Sequence, residues 1–170
     1  MHPIDPAKLG SWFDAYAGRL VLYARQWLER ELAEDAVQEV FIRLMSQPRE
    51  PDNVASWLFR AVRNAAISVF RSESSRRSRE RKVAREGQDF FESRPDDLLD
   101  ASAAESALTQ LPAEQREVIV LRIWGQLTLS EISQIVEMPI SSVHDCYRSA
   151  LSALRHVLES TCRNIGRKNP

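Results

Sequence analysis

The chain has little glycine, little cysteine and no long apolar run. Five glycines in 170 residues are too few for a glycine-rich nucleotide-binding fold or a many-stranded β protein full of tight turns. Two cysteines, Cys146 and Cys162, cannot build a disulfide framework of the secreted kind, so a reducing compartment is expected. No apolar stretch approaches the roughly 20 residues that a membrane span needs. The first residues show no basic stretch followed by an apolar one, so no signal peptide is expected. An excess of either charge is also missing: 23 Lys+Arg against 24 Asp+Glu leave a formal charge of −1. Bulk polycation binding to nucleic acid is thereby excluded, and any DNA contact must come from local patches. A soluble, cytoplasmic protein is the expectation.

What the chain does have is helical periodicity. Apolar residues make up 44% and charged residues 28%, enough for a packed core. The composition changes twice along the chain, which predicts an all-α protein of two small helical domains, residues 9–75 and 105–160, joined by a flexible linker over 76–104 and followed by a tail, 161–170. The linker opens with a basic run (Arg76, Arg77, Arg79, Arg81, Lys82 and Arg85, continuing from Arg71) and then turns acidic through Asp89, Glu92, Asp96, Asp97 and Asp100. The apolar pairs Phe90–Phe91 and Leu98–Leu99 interrupt it. Such a segment reads as a solvated tether. Domains of about 60 residues are marginal alone and often gain stability by docking.

Apolar residues at steps of three and four place the elements. Phe13, Tyr16, Leu20, Tyr23 and Trp27 form the stripe of a helix over about 12–30. Val37, Val40, Phe41 and Leu44 face inward from one over 34–45, leaving Asp35, Gln38, Glu39 and Arg43 on its other side. Pro48 and Pro51 break that helix. Asp52 or Asn53 caps the next, which turns Val54, Trp57, Leu58, Ala61, Val62, Ala65 and Val69 inward. In the second domain Pro112 suits a first helical turn, Gly125 is a stop, and Thr128-Leu129-Ser130-Glu131 matches a capping box. Glu137-Met138-Pro139-Ile140 makes a turn. Ser141 or Ser142 caps the last helix, with Val143, Tyr147, Leu151, Leu154 and Leu158 inward. A short helix, a turn of about four residues and a second helix is the helix-turn-helix arrangement, although any small helical hairpin can show the same spacing.

Nothing in the sequence speaks for catalysis. His2, His144 and His156 are scattered, no Cys/His cluster has metal-ligand spacing, and no glycine-rich phosphate loop is present. The expectation is a protein that is not an enzyme and holds no cofactor or metal. More informative is the third helix, where Arg60, Arg63, Asn64 and Arg71 project from one side. Arginine can hold phosphate through two parallel donors and asparagine can read a base edge. Trp57 and Phe59 lie near the start of that helix, where aromatics either stack on unpaired bases or fill a core; for Trp57 the core is the expectation.

Three stretches resemble a known family: AEDAVQEVFIRL at 33–44, NVASWLFRAVRNAAI at 53–67, and the long run from Leu111 to Arg155 that contains LTLSEISQIVEMPISSVHDCYRSAL. Together they resemble a bacterial RNA polymerase sigma factor of the extracytoplasmic-function (ECF) group in the sigma-70 family, which keeps sigma regions two and four. The likeness covers about residues 10–75 and 105–160. It implies core RNA polymerase and promoter DNA as partners, with an anti-sigma factor as regulator. It implies that Asp35, Gln38, Glu39 and Arg43 bind the core enzyme. It implies that Asn53, Trp57, Arg60, Arg63, Asn64 and Arg71, with the loop from Gln47, read and help melt the minus-ten element. It implies that Ser142, His144, Asp145, Arg148, Ser149 and Ser152 read the minus-thirty-five element.

The last helix departs from that family. His144, Asp145 and Cys146 stand where basic residues and serine are common, and between 106 and 160 four arginines face five glutamates and one aspartate. A recognition domain of net −2 gains little from phosphate attraction. Asp145 would repel phosphate but can accept a hydrogen bond from cytosine. Ser68 also stands where the family often has aspartate. Two other readings remain at this level: a free-standing helix-turn-helix regulator, which has no need of the Asp35/Gln38/Glu39 face, and a sigma-like interaction module without DNA binding.

Overall fold

The computed structural model describes residues 4–80 and 107–166, with the side chains of 77–80 and 161–166 excepted. The described residues are helical with no strand, and the chain separates into two units on either side of residue 88.

The first unit holds α1 (Pro6–Ala24), α2 (Arg30–Met45) and α3 (Val54–Glu80), each packed on the other two. Helix α1 starts six residues before the expected Trp12. The Asp5 carboxylate accepts the Ala7 amide at 2.9 Å and Pro6 occupies the first helical position, where its missing donor costs nothing. The helix also ends early, so Trp27 lies in the following turn, its ring edge-on to Tyr23 at 5.2 Å. Helix α2 gains an N-terminal turn on the expected 34–45, spanned by Arg30 Nε and Glu34 Oε1 at 2.9 Å. Asn53 caps α3 as expected: its Oδ1 accepts the Ser56 amide at 2.9 Å.

Leu20, Tyr23, Val37, Val40, Leu44, Leu58, Phe59 and Val62 fill the core of this unit. Full burial of side chains of this size is worth about 1.5–3 kcal/mol each. The inward face of α3 differs from the expected one. Val54, Trp57, Ala65 and Val69 are only half-buried, while Phe59 and Ala66 are buried. Phe59 meets Tyr23 edge-on at 5.5 Å, so it is a core residue and not a surface for stacking bases. Helix α3 also runs past the expected domain end at 75 and carries Arg76, Arg77 and Arg79 as helix rather than tether. His2, Arg81, Lys82, Arg85, the acidic run and both apolar pairs lie outside the described residues.

The second unit holds a helical segment at 107–110, then α4 (Ala113–Ile123), α5 (Leu129–Val136) and α6 (Ile140–Gly166). Pro112 stands one residue outside α4, at its N-cap. Gly125 stands just past the helix end, where only glycine fits, since a Cβ there would strike the Leu121 carbonyl oxygen. The chain then turns through Gln126 at φ 55°, and Arg122 Nη1 fastens the turn by donating to the Leu127 carbonyl at 2.7 Å. The capping box of α5 is complete: Glu131 N donates to Thr128 Oγ1 at 3.2 Å and Thr128 N donates to Glu131 Oε2 at 2.6 Å.

Glu137 leaves α5 in the left-handed region at φ 57°. Its amide and that of Met138 both donate to the Ser133 carbonyl, while the Ser133 hydroxyl donates to the Met138 carbonyl at 2.6 Å. Helix α6 then begins at Ile140, so Ser141 and Ser142 lie in its first turn and do not cap it. Its expected inner stripe is also displaced. Val143 and Ala150 are buried, Tyr147 and Leu154 half-buried, and Leu151 and Leu158 are 41% and 40% exposed. Each four-residue step advances a side chain about 40° beyond a full turn, so the stripe from Val143 to Leu151 winds off the covered side.

Candidate polymerase and nucleic-acid interfaces

The inner side of α2 is a run of small and branched residues: Ala33, Ala36, Val37, Val40, Phe41 and Leu44, all buried. Phe41 is 5% exposed and meets the Phe13 ring edge-on at 5.0 Å, which makes it a core residue as expected. Asp35, Gln38, Glu39 and Arg43 are all exposed on the opposite side. In their midst stands Ile42, 63% exposed, with Met45 at 56% one turn beyond Phe41 and two beyond Gln38. Sequence reasoning missed both. Ile42 follows Asp35, Gln38 and Glu39 by seven, four and three residues, so it shares their face. An apolar centre with a polar, charged margin is the anatomy of a protein-binding patch.

The loop from α2 to α3 is held from both ends. Gln47 Nε2 donates to the Arg43 carbonyl at 3.1 Å, and Arg49 Nη2 lies 3.4 Å from Asp52 Oδ1. Lys8 Nζ of α1 pairs with Glu50 Oε2 at 2.8 Å. The Glu50 carboxylate, by hydrogen bond and by charge, raises the Lys8 ammonium above its ordinary value. Along α3, Arg60, Asn64 and Arg71 are exposed, and Trp57, Arg63 and Ile67 are half-buried. Trp57, Arg60, Asn64, Ile67 and Arg71 follow one another by three or four residues and so form one side of the helix, with Arg63 on its flank. Asn53 is set apart from them at the cap, its side-chain oxygen taken by Ser56. Trp57 is thus neither a full core residue nor a free platform.

On α6, His144, Asp145, Arg148, Ser149 and Ser152 are exposed and Ser142 is half-buried at the edge. Arg155, not singled out from the sequence, is exposed on the same side seven residues after Arg148. His144 Nδ1 is 3.8 Å from Asp145 Oδ1. Cys146 points to the flank, half-buried. Burial first, then the negative charges of Glu114 and Asp145, push its thiol above the ordinary value. Among the described residues no group of three or more His, Cys, Asp or Glu could hold a metal ion, and no helix is long and apolar enough to cross a membrane.

The described residues thus form a three-helix unit with an exposed polar face on α2 and, separately, a helix-turn-helix. Comparison with known proteins makes this specific. The sigma-70 region 2 family matches residues 12–76 and the sigma-70 region 4 family residues 107–156. The ECF RNA polymerase sigma factor ShbA of Streptomyces griseus is 31% identical over 144 residues, which are 76% of this chain and 73% of that protein. Two solved structures share the fold at 20% identity. The sigma factor RpoE of Bartonella quintana, in complex with the anti-sigma factor NepR, matches with a TM-score of 0.71 over 89% of this chain and 97% of its own. CnrH, in complex with the cytosolic domain of CnrY, matches with a TM-score of 0.62 over 92% and 91%. The chain belongs to the sigma-70 family of RNA polymerase sigma factors, in its ECF group.

Proposed function

We propose that this protein is a dissociable, non-catalytic subunit that brings core RNA polymerase to a defined set of promoters in the cytoplasm. The observation that carries the reading is the exposed face of α2, where Asp35, Gln38, Glu39 and Arg43 surround an exposed Ile42. A free-standing DNA-binding regulator has no use for such a face. Docked there, the first unit presents the side of α3 bearing Trp57, Arg60, Asn64 and Arg71 to the downstream element. Unstacking a base costs a few kcal/mol, which contacts from that side and from the Gln47–Asn53 loop offset. The helix-turn-helix fixes the upstream register through α6. Joining two weak contacts through one enzyme raises their joint affinity through effective concentration, so a near-neutral chain can act on DNA. RpoE and CnrH are each seen with a binding partner, NepR and CnrY, and by that likeness an anti-sigma factor restrains this protein.

The test is co-purification with the host core polymerase, followed by run-off transcription. Wild type is expected to associate and initiate from specific sites. An Asp35/Gln38/Glu39 triple alanine variant is expected to lose association while remaining folded. Equal association of both proteins would remove the support that α2 gives. The net −2 charge of residues 106–160 favours a second reading, in which the protein docks on polymerase but has no DNA specificity. Initiation from a specific promoter excludes it.

A further inference from the structure

We infer that Asp145 is a base-reading residue that selects cytosine in the upstream promoter element. The inference rests on the promoter-recognition reading above and deepens it. Asp145 is the sixth residue of α6, and in helix-turn-helix proteins the N-terminal part of the second helix meets base edges while later turns meet the backbone. Its side chain is 80% exposed and shares the outer side of α6 with Ser141, Arg148 and Ser152, at spacings of four, three and seven residues. Among the described residues the carboxylate accepts no hydrogen bond. Its neighbour, His144 Nδ1 at 3.8 Å, lies beyond hydrogen-bond reach, and no shorter ion pair or hydrogen bond to it occurs among the described residues.

An open carboxylate on this surface has few partners in a duplex. Phosphates repel it. The major-groove edges of guanine and thymine offer only acceptors and, in thymine, a methyl group. Adenine offers one donor beside the N7 acceptor, which also repels a carboxylate. Cytosine presents its N4 amine with no acceptor next to it and is the base an aspartate accepts from. Arg148, three residues on and exposed without an ion pair among the described residues, stands beside it as a donor fork for guanine O6 and N7. The side of α6 that looks unfavourable for bulk attraction is therefore built for discrimination.

The test is transcription by reconstituted holoenzyme from a promoter library randomised across the upstream element, with the start-site-proximal element held constant. Wild type is expected to enrich cytosine at one position on one strand by about five- to tenfold. Asp145→Asn is expected to move that single position toward adenine, the base an asparagine amide pairs with through N6 and N7. Asp145→Ala is expected to flatten it. The exposed position makes misfolding of these variants an unsuitable explanation, and circular dichroism verifies this. An upstream profile without a cytosine preference, or one identical in wild type and both variants, overturns the inference while leaving promoter recognition intact. No specific initiation by any of the proteins overturns promoter recognition itself, and the inference with it.

Discussion

The Ser133 hydroxyl donates to the main-chain carbonyl of Met138 at 2.6 Å, while the Ser133 carbonyl accepts the amides of Glu137 and Met138. One residue thus holds both sides of the turn that aims α6. Replacement by alanine keeps the backbone bonds and removes the hydroxyl clamp. Ser133→Ala is expected to lower the stability of the second unit by about 1 kcal/mol, the usual net worth of a partly buried hydrogen bond. Urea denaturation followed by circular dichroism would show it, and an unchanged midpoint would mean that the clamp contributes nothing.

Glu137 occupies the left-handed region at φ 57°, where a Cβ is unfavourable and glycine is the usual helix-ending residue. Glu137→Gly is expected to raise stability by up to about 1 kcal/mol, partly offset by the greater freedom of the unfolded chain. Thermal unfolding of wild type and variant at one pH decides the sign. A lower midpoint would show that the glutamate side chain supplies more than the backbone strain removes.

The exposed apolar side chain in the middle of the α2 face gives a sharper expectation. Central apolar anchors dominate interfaces, with truncation costs of about 2 kcal/mol or more. Ile42→Ala is therefore expected to weaken binding to core polymerase roughly thirtyfold. Its thermal midpoint should stay within a degree or so, because Ile42 is 63% exposed and no part of the core. Fluorescence anisotropy with labelled protein measures the affinity, and equal affinities would move the docking surface elsewhere.

For Cys146 the pH dependence has a definite sign. Burial, then Glu114, then Asp145 raise its thiol above the ordinary value, so the reactive thiolate is scarcer at neutral pH than in an unfolded chain. In a Cys162→Ser background, iodoacetamide is expected to alkylate the native protein slowly at pH 7, faster as pH rises, and fastest after denaturation. Glu114→Gln should accelerate the native reaction more than Asp145→Asn. A native rate above that of the denatured chain would reverse the assignment.

Much of this was legible in the sequence because the signals were local. The capping box Thr128–Glu131, the Asn53 cap and the buried face of α2 depend on residues a few positions apart, and they stand as expected. What depended on tertiary contact was not legible. Phe59 and Ala66 displace Val54 and Val69 from the core because α1 and α2 approach α3 from a direction that its own periodicity leaves open. Leu151 and Leu158 look like core by spacing, but the short α5 and the end of α4 do not reach around to cover them. The start of α1 was missed because Asp5 and Pro6 precede the first large apolar residues and carry a capping signal only. Ile42 was missed because an isolated apolar residue on a polar face breaks the pattern used to find helices.

Helix α3 has 27 residues against 19 in α1 and 16 in α2. At about 1.5 Å per residue it is a rod of roughly 40 Å, longer than either companion can sheathe. A rod turns as it lengthens, by about 100° for every residue. One amino acid inserted or deleted within it would hardly alter its reach, yet would swing every later side chain of the helix round by more than a right angle. In this stretch, length is a compass setting and not slack.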